Sequence, residues 1–277
     1  MFDDFKKITV DCEALNEIVY PINEPFILNI NLQNTSFEFV VRIKEHSKKL
    51  IVFGSGAYDS KKFSPPVFQR HSWIKYIEEN VIFYNDPTLY LGEINIGWGF
   101  GNQDHHYLSE IAKIISELSK QFDIQSKDTL FYGSSAGGFM SLILAGLIKG
   151  SKALVNNPQT IVTNYYAGHV NRLFSSVLPN LKRIEIEERY STRINLLEFY
   201  KKLGYIPKIY YLQNLACEHD IKYHMNPFLS GLSDINPYLE ERNIHLDLYY
   251  DKEKGHNPLD MDVTLEYLIK VSNGDLF

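Results

Sequence analysis

Only two of the 277 residues are cysteine, Cys12 and Cys217. That is too few for a disulfide framework or a four-thiolate zinc site, and it suggests a reducing compartment. No run of lysines and arginines occurs, and 28 basic residues stand against 34 acidic ones, a net charge of −6. This balance argues against a nucleic-acid partner, whether through an overall positive field or a local basic patch. The most apolar stretch, Phe139 to Ile148, falls far short of the roughly 20 residues a membrane span needs. The opening Met1-Phe2-Asp3-Asp4-Phe5-Lys6-Lys7 lacks the apolar centre of a secretion signal. No repeat, low-complexity tract or Pro/Gly/Ser linker divides the chain, which reads as a single domain over residues 1–277. The expectation is a soluble, cytoplasmic protein that needs no metal or organic cofactor.

What is present is apolar and aromatic. Hydrophobic residues make up 44% of the chain, enough for a sizeable core, and 19 Tyr with 17 Phe make it unusually rich in rings. Tyrosine also suits amphipathic ligands such as carbohydrate, because a ring face and a hydroxyl share one side chain. Residues 1–48 read as β-rich, with Phe26–Leu32 and Ser36–Ile43 flanking a polar Gln33-Asn34-Thr35 turn. From Lys49 the pattern changes to a short, wholly apolar run at 50–53 and similar runs at 81–84, 129–132, 153–155, 209–212 and 246–250. Parallel strands covered on both faces look like this. Leu108, Ile111, Ala112, Ile115, Leu118 and Phe122 form an amphipathic stripe between them. Ala136 to Ile148 is apolar nearly all round and predicts a buried helix; Thr264 to Val271 predicts a terminal one. Alternating strands and helices give an α/β fold, a mostly parallel sheet with helices on both faces. Residues 161–204 break the rhythm with helix-like, mixed-charge sequence and predict a small cap.

The run Thr129-Leu130-Phe131-Tyr132 leads into Gly133-Ser134-Ser135-Ala136-Gly137-Gly138 and then the apolar helix. This contains Gly-x-Ser-x-Gly with Ser135 at its centre. On composition alone such a motif arises by chance on the order of 0.1 times in a chain of this length; the strand before it and the helix after it make it specific. Glycines on both sides permit a tight strand-to-helix corner that exposes a nucleophilic hydroxyl. The N–H of Ala136, at the helix N-terminus, can stabilise an oxyanion. Ser135, rather than Ser134, occupies the apex. A serine nucleophile needs a base, and His256 lies in a polar loop between the last strand and the last helix. His105 and His106 sit at a helix start and His245 in a strand. The base needs a carboxylate to hold its tautomer, and the loop after residues 209–214 offers Glu218 and Asp220. A second oxyanion donor is sought in Gly54-Ser55-Gly56-Ala57, where the candidates are Gly56 and Ala57. Arg70 and Trp73 follow a Pro-Pro turn as a fixed cation beside an aromatic. Trp98, within Gly97-Trp98-Gly99-Phe100-Gly101, is the candidate for a sugar-stacking rim.

The order Ser135, then Glu218 or Asp220, then His256 resembles the α/β-hydrolase superfamily over residues 49–277. More narrowly, Gly133–Phe139, Asn157-Pro158-Gln159-Thr160, Pro65-Pro66-Val67-Phe68-Gln69-Arg70 and Gln213-Asn214 look like a bacterial group of α/β-hydrolase-like proteins associated with capsular or surface polysaccharide biosynthesis. The resemblance implies serine-dependent acyl transfer, as esterase or acyltransferase, on an acylated glycan or its precursor. In the superfamily the acid lies a few residues past its strand, where Cys217 stands here. A thiol cannot replace a carboxylate, so either a neighbour substitutes or the triad is incomplete. A non-catalytic glycan-binding or assembly protein on the same fold is the rival reading.

Overall fold

A computed structural model describes residues 5–238 and 243–275; Met1 to Asp4 of the opening stretch lie outside them. The strands are β1 (Lys6–Asp11), β2 (Pro25–Leu32), β3 (Thr35–Arg42), β4 (Leu50–Gly54), β5 (Asn80–Tyr84), β6 (Thr129–Ser134), β7 (Lys152–Asn156), β8 (Lys208–Asn214) and β9 (Ile244–Tyr249). They form one sheet in the order β1-β2-β3-β5-β4-β6-β7-β8-β9. β3 pairs antiparallel with both its neighbours, and every other pairing is parallel. The helices are α1 (Tyr107–Gln121), α2 (Ala136–Leu147), α3 (Ala167–Val177), α4 (Arg183–Arg189), α5 (Ser191–Ile194), α6 (Leu196–Leu203), α7 (Glu218–Asp220), α8 (Asn226–Gly231) and α9 (Met261–Asn273). This is the α/β-hydrolase fold.

The six runs become β4 to β9; β4 to β8 are covered on both faces, whereas β9, at the sheet edge, is only partly buried. Leu50 and Val52 of β4 pack with Phe131 of β6 and with Ile209 and Tyr211 of β8 on the face carrying α1 and α2. Ile51, Phe53, Leu130, Tyr132, Tyr210 and Leu212 pack on the opposite face with Leu268 and Val271 of α9. The amino-terminal hairpin closes on two residues, Gln33 and Asn34, both at positive φ (48° and 63°). Leu32 pairs directly with Thr35. Such a turn matches the strand twist, so Thr35 joins the strand rather than the turn.

Residues 161–204 fold as α3 to α6, between β7 and β8. Arg193 ties them to the rest: its Nη1 donates to the carbonyls of Phe100 (3.2 Å) and Asn102 (2.6 Å). The glycine-rich loop it grips turns inward. Trp98 is completely buried, which corrects the expectation of a sugar-stacking rim. The physical reason is close packing: a Cβ on Gly99 (φ 65°) would meet the Leu108 side chain at 2.4 Å, and one on Gly97 would meet Asp86 Oδ2 at 2.4 Å. The glycines admit this loop into the core instead of displaying its rings.

Gly137 faces a similar limit, since a Cβ there would lie 2.6 Å from the Gly54 carbonyl oxygen, a backbone atom. A Cβ on Gly168, near the start of α3, would meet no other described residue within 4 Å beyond its chain neighbours and own helix backbone. We expect Gly137→Ala to cost about 1–3 kcal/mol, lowering Tm by roughly 2–10 °C, and Gly168→Ala to be neutral or stabilising by up to about 1 kcal/mol. Thermal melts of the two variants check the contrast; a Gly137→Ala melt at or above the parent would contradict it.

Candidate active site

Ser135 stands at the corner between β6 and α2 with φ 55° and ψ −125°, a backbone conformation that L-residues adopt only when the surroundings enforce it. The corner is forced by contact between its two arms, because a Cβ on Gly133 would lie 2.2 Å from the Gly137 carbonyl oxygen. Ala136 is the first residue of α2. Its N–H has no partner within the helix and sits at the positive end of the helix dipole.

His256 Nε2 is 2.9 Å from Ser135 Oγ, and His256 Nδ1 is 2.6 Å from Asp220 Oδ2. Asp220 is buried, whereas the His256 side chain retains 35% of its exposure. With the carboxylate at Nδ1, that nitrogen carries the proton and Nε2 is left to accept the serine proton. Glu218 is exposed and makes no hydrogen bond or ion pair to His256 among the described residues. The difference comes from one short helical turn: α7 begins at Cys217, its N-cap, and carries Asp220 inward while Glu218 points out. Cys217 hydrogen-bonds the Asp220 side chain; burial, reinforced by the carboxylate, pushes its thiol up to about 11. It therefore stays a neutral donor beside the acid.

Three buried asparagines hold the histidine loop through its backbone. Asn214 Nδ2 donates to the carbonyls of Asp251 (2.7 Å) and Gly255 (2.8 Å), and its Oδ1 accepts the Asp251 N–H (2.9 Å). Asn157 Nδ2 reaches the carbonyls of His256 (3.1 Å) and Asn257 (3.2 Å). Asn156 Oδ1 accepts the Leu259 N–H at 2.7 Å. These amides lie at or just past the carboxyl ends of β7 and β8.

The remaining sequence candidates fall in different places. Gly56 lies beside Ser135, its Cβ position 3.8 Å from Ser135 Cβ, but its N–H donates to Gln69 Oε1 at 2.9 Å. The second-donor role expected of it is therefore already occupied. Ala57 is exposed, and its carbonyl accepts from Gln69 Nε2 at 2.9 Å. Arg70 adopts a left-handed backbone (φ 66°). Its Nη2 donates to Ser134 Oγ at 2.7 Å, and its guanidinium lies 5.6 Å from the Trp73 ring centre and 5.3 Å from that of Tyr132. Arg70 and Ala57 border a groove of about 580 Å³ whose walls include Lys62, Phe63 and Phe68. Trp98 lies behind the site and donates its Nε1–H to Gln159 Oε1. Gln159 Nε2 in turn lies 3.1 Å from Ser135 Oγ. Gln159 belongs to a motif visible in the sequence, but its contact with Ser135 is not.

An aromatic shelf adjoins Asp220. Tyr166 stacks on His219 (4.6 Å between ring centres, 22° between planes), the Tyr223 ring lies tilted 4.8 Å from that imidazole, and Tyr165 links Tyr166 to Trp98. Tyr166 is 56% exposed and Tyr223 38%.

No family model and no curated protein sequence matches the chain. Solved structures do. The capsule O-acetyltransferase of Neisseria meningitidis serogroup A aligns with a TM-score of 0.63 at 16% identity, covering 88% of this chain and 96% of that one; a variant of it has been solved in complex with CoA. An S-formylglutathione hydrolase from Agrobacterium tumefaciens aligns at 0.60 and 12% identity, covering 93% and 98%. A glycosylation-associated protein complex from Streptococcus agalactiae aligns at 0.60 and 13% identity, covering 90% of this chain and 45% of that one. These likenesses establish the shared fold. Among the described residues no helix is long and apolar enough to cross a membrane.

Two outcomes are expected from this geometry. Asp220→Asn should lower kcat for ester hydrolysis by roughly 10²- to 10⁴-fold, while Glu218→Gln should stay within about twofold; equal losses, measured by steady-state kinetics, would displace Asp220 as the partner of His256. The second concerns His224, which is fully buried behind the acid. Burial lowers its pKa from 6.5 to about 4, outweighing the nearby Asp220 charge. The unfolded chain protonates this histidine near pH 6.5 and the folded chain does not, so its contribution to stability is intact above that pH. The contribution falls as pH drops from 6.5 toward 4, by up to about 3 kcal/mol. Urea midpoints between pH 4 and 7 should show this slope in the parent and a shallower one in His224→Gln; identical slopes would refute it.

Proposed function

We propose that the protein is a serine-dependent acyl-transfer enzyme, working through an acyl-enzyme on O-acyl groups of a surface glycan or its precursor. The observation that carries this reading is the continuous Ser135–His256–Asp220 hydrogen-bond chain (2.9 and 2.6 Å) ending on a serine held at positive φ. Ser135 Oγ attacks the acyl carbonyl carbon while its proton passes to His256 Nε2, and Asp220 stabilises the imidazolium. The carbonyl oxygen, now an oxyanion, takes the Ala136 N–H. Collapse of the intermediate breaks the bond to the leaving group, which takes the proton from His256. A sugar hydroxyl, or water, then enters by the same steps in reverse.

The glycan part of the reading rests on two supports. One is the likeness to a capsule O-acetyltransferase. The other is the exposed Tyr166–His219–Tyr223 shelf beside the acid, whose ring faces and polar tips suit a pyranose. The groove past Ala57, with Lys62 and Arg70 on its walls, suits the donor's leaving group. The two free cysteines accord with a cytoplasmic site of action.

A fluorophosphonate probe should label the protein, and Ser135→Ala should abolish both labelling and nitrophenyl acetate hydrolysis with Tm nearly unchanged. Absence of labelling would favour a glycan-binding protein without chemistry. Tyr166→Ala should raise KM for an O-acylated oligosaccharide roughly 3- to 10-fold and leave nitrophenyl acetate kinetics unaltered. Equal effects on both substrates would remove the shelf from the glycan site. Product analysis with a free sugar acceptor separates transfer from hydrolysis.

A further inference from the structure

Gln159 is fully buried and touches the reacting atom. Its Nε2 lies 3.1 Å from Ser135 Oγ, and its backbone N–H donates to the Ser135 carbonyl, also at 3.1 Å. A side-chain amide can be turned either way, and only its partners decide which end is the donor. Here Trp98 decides. An indole N–H donates and never accepts, and Trp98 Nε1–H meets the Gln159 oxygen. The amino group must therefore face the serine.

We propose that Gln159 is a catalytic hydrogen-bond donor to the nucleophile oxygen, and that Trp98 is the positioning residue that fixes its orientation. The proposal rests on the acyl-transfer reading and adds a residue to it. Because Ser135 Oγ accepts from Gln159, its own proton is directed to its other hydrogen-bond partner among the described residues, His256 Nε2, at 2.9 Å. As the C–Oγ bond forms and the O–H bond breaks, negative charge passes through Oγ, and the amide N–H meets it there. In the acyl-enzyme Oγ is an ester oxygen, a weaker acceptor. In the second half Oγ is the leaving atom: the C–Oγ bond breaks, the electron pair returns to Oγ and His256 returns the proton. The same N–H is in place to stabilise that charge. One fixed donor thus serves both halves of the cycle, which matters in a site where the Gly56 N–H is held by Gln69.

The test is a double-mutant cycle read by the rate of Ser135 phosphonylation. Gln159→Met keeps the volume and removes the donor; it should slow labelling roughly 10- to 100-fold, the worth of a hydrogen bond to a developing charge. Trp98→Phe should slow labelling less, since the amide is then free to turn. In the Gln159→Met background it should add no more than about twofold, because both changes act through one amide. Labelling of Gln159→Met at the parent rate, or an equal Trp98→Phe penalty in both backgrounds, overturns the proposal. If Gln159→Met fails to fold, Trp98→Phe alone decides, by slowed or unchanged labelling. An unlabelled parent overturns the acyl-transfer reading and with it the catalytic role. A second readout does not need activity. The chain has two tryptophans, so ¹⁵N spectra show two indole N–H signals, and the Trp98 signal is the one lost in Trp98→Phe. Gln159→Met should move that signal upfield and speed its exchange with solvent; a signal that does not move overturns the orienting contact.

Discussion

The site depends on the grip of three buried side-chain amides on the loop that carries His256. Asn156, Asn157 and Asn214 sit at or just beyond the carboxyl ends of β7 and β8, and between them they bond the backbone of Asp251, Gly255, His256, Asn257 and Leu259. A loop of Lys, Glu, Gly and Asn has little apolar surface to bury and would otherwise be poorly ordered. Amides suit the task because each offers donors and an acceptor at once. The imidazole is thereby fixed through its main chain, and its ring nitrogens remain free for Asp220 and Ser135.

That grip works because of where the sheet puts the elements. β6 lies between β4 and β7, all three parallel, so the segments leaving their carboxyl ends open onto one edge. The elbow, the Gly54–Ala57 segment and the asparagine pair come from these adjacent strands, as expected for ligand sites on open α/β sheets. The acid arrives from the next strand, β8, through a single helical turn.

Much of this was legible in the sequence, for identifiable reasons. Five of the apolar runs mark β4 to β8 because strands covered on both faces leave no room for polar alternation; the sixth, interrupted by Asp247, marks the edge strand β9. The elbow is legible because its glycines answer a local steric demand. The choice between Glu218 and Asp220 was not legible: two carboxylates two residues apart are equivalent until the intervening backbone coils, and the coil of α7 sends only the second inward. The burial of Trp98 is not legible for a related reason. Glycines alternating with aromatics signal close approach of the backbone to something, without saying whether that something is solvent-borne or core. The contact through which Trp98 acts joins it to Gln159, 61 residues away, and no local pattern encodes it. The aromatic excess divides the same way, with Tyr132, Tyr200, Tyr210 and Tyr211 inside the core and Tyr166 and Tyr223 at the surface.

The order of the chain adds a consequence in time. Ser135 and Asp220 are both synthesised well before the loop at 251–259 that supplies the base, and α9, which packs against the sheet face next to β6 and β7, follows it. A nascent chain that has reached β8 holds Ser135 but not yet His256, whose Nε2 lies 2.9 Å from Ser135 Oγ in the folded chain. On the proposed mechanism, acyl transfer therefore waits for the 251–259 loop, and a chain stalled at β8 would lack the base.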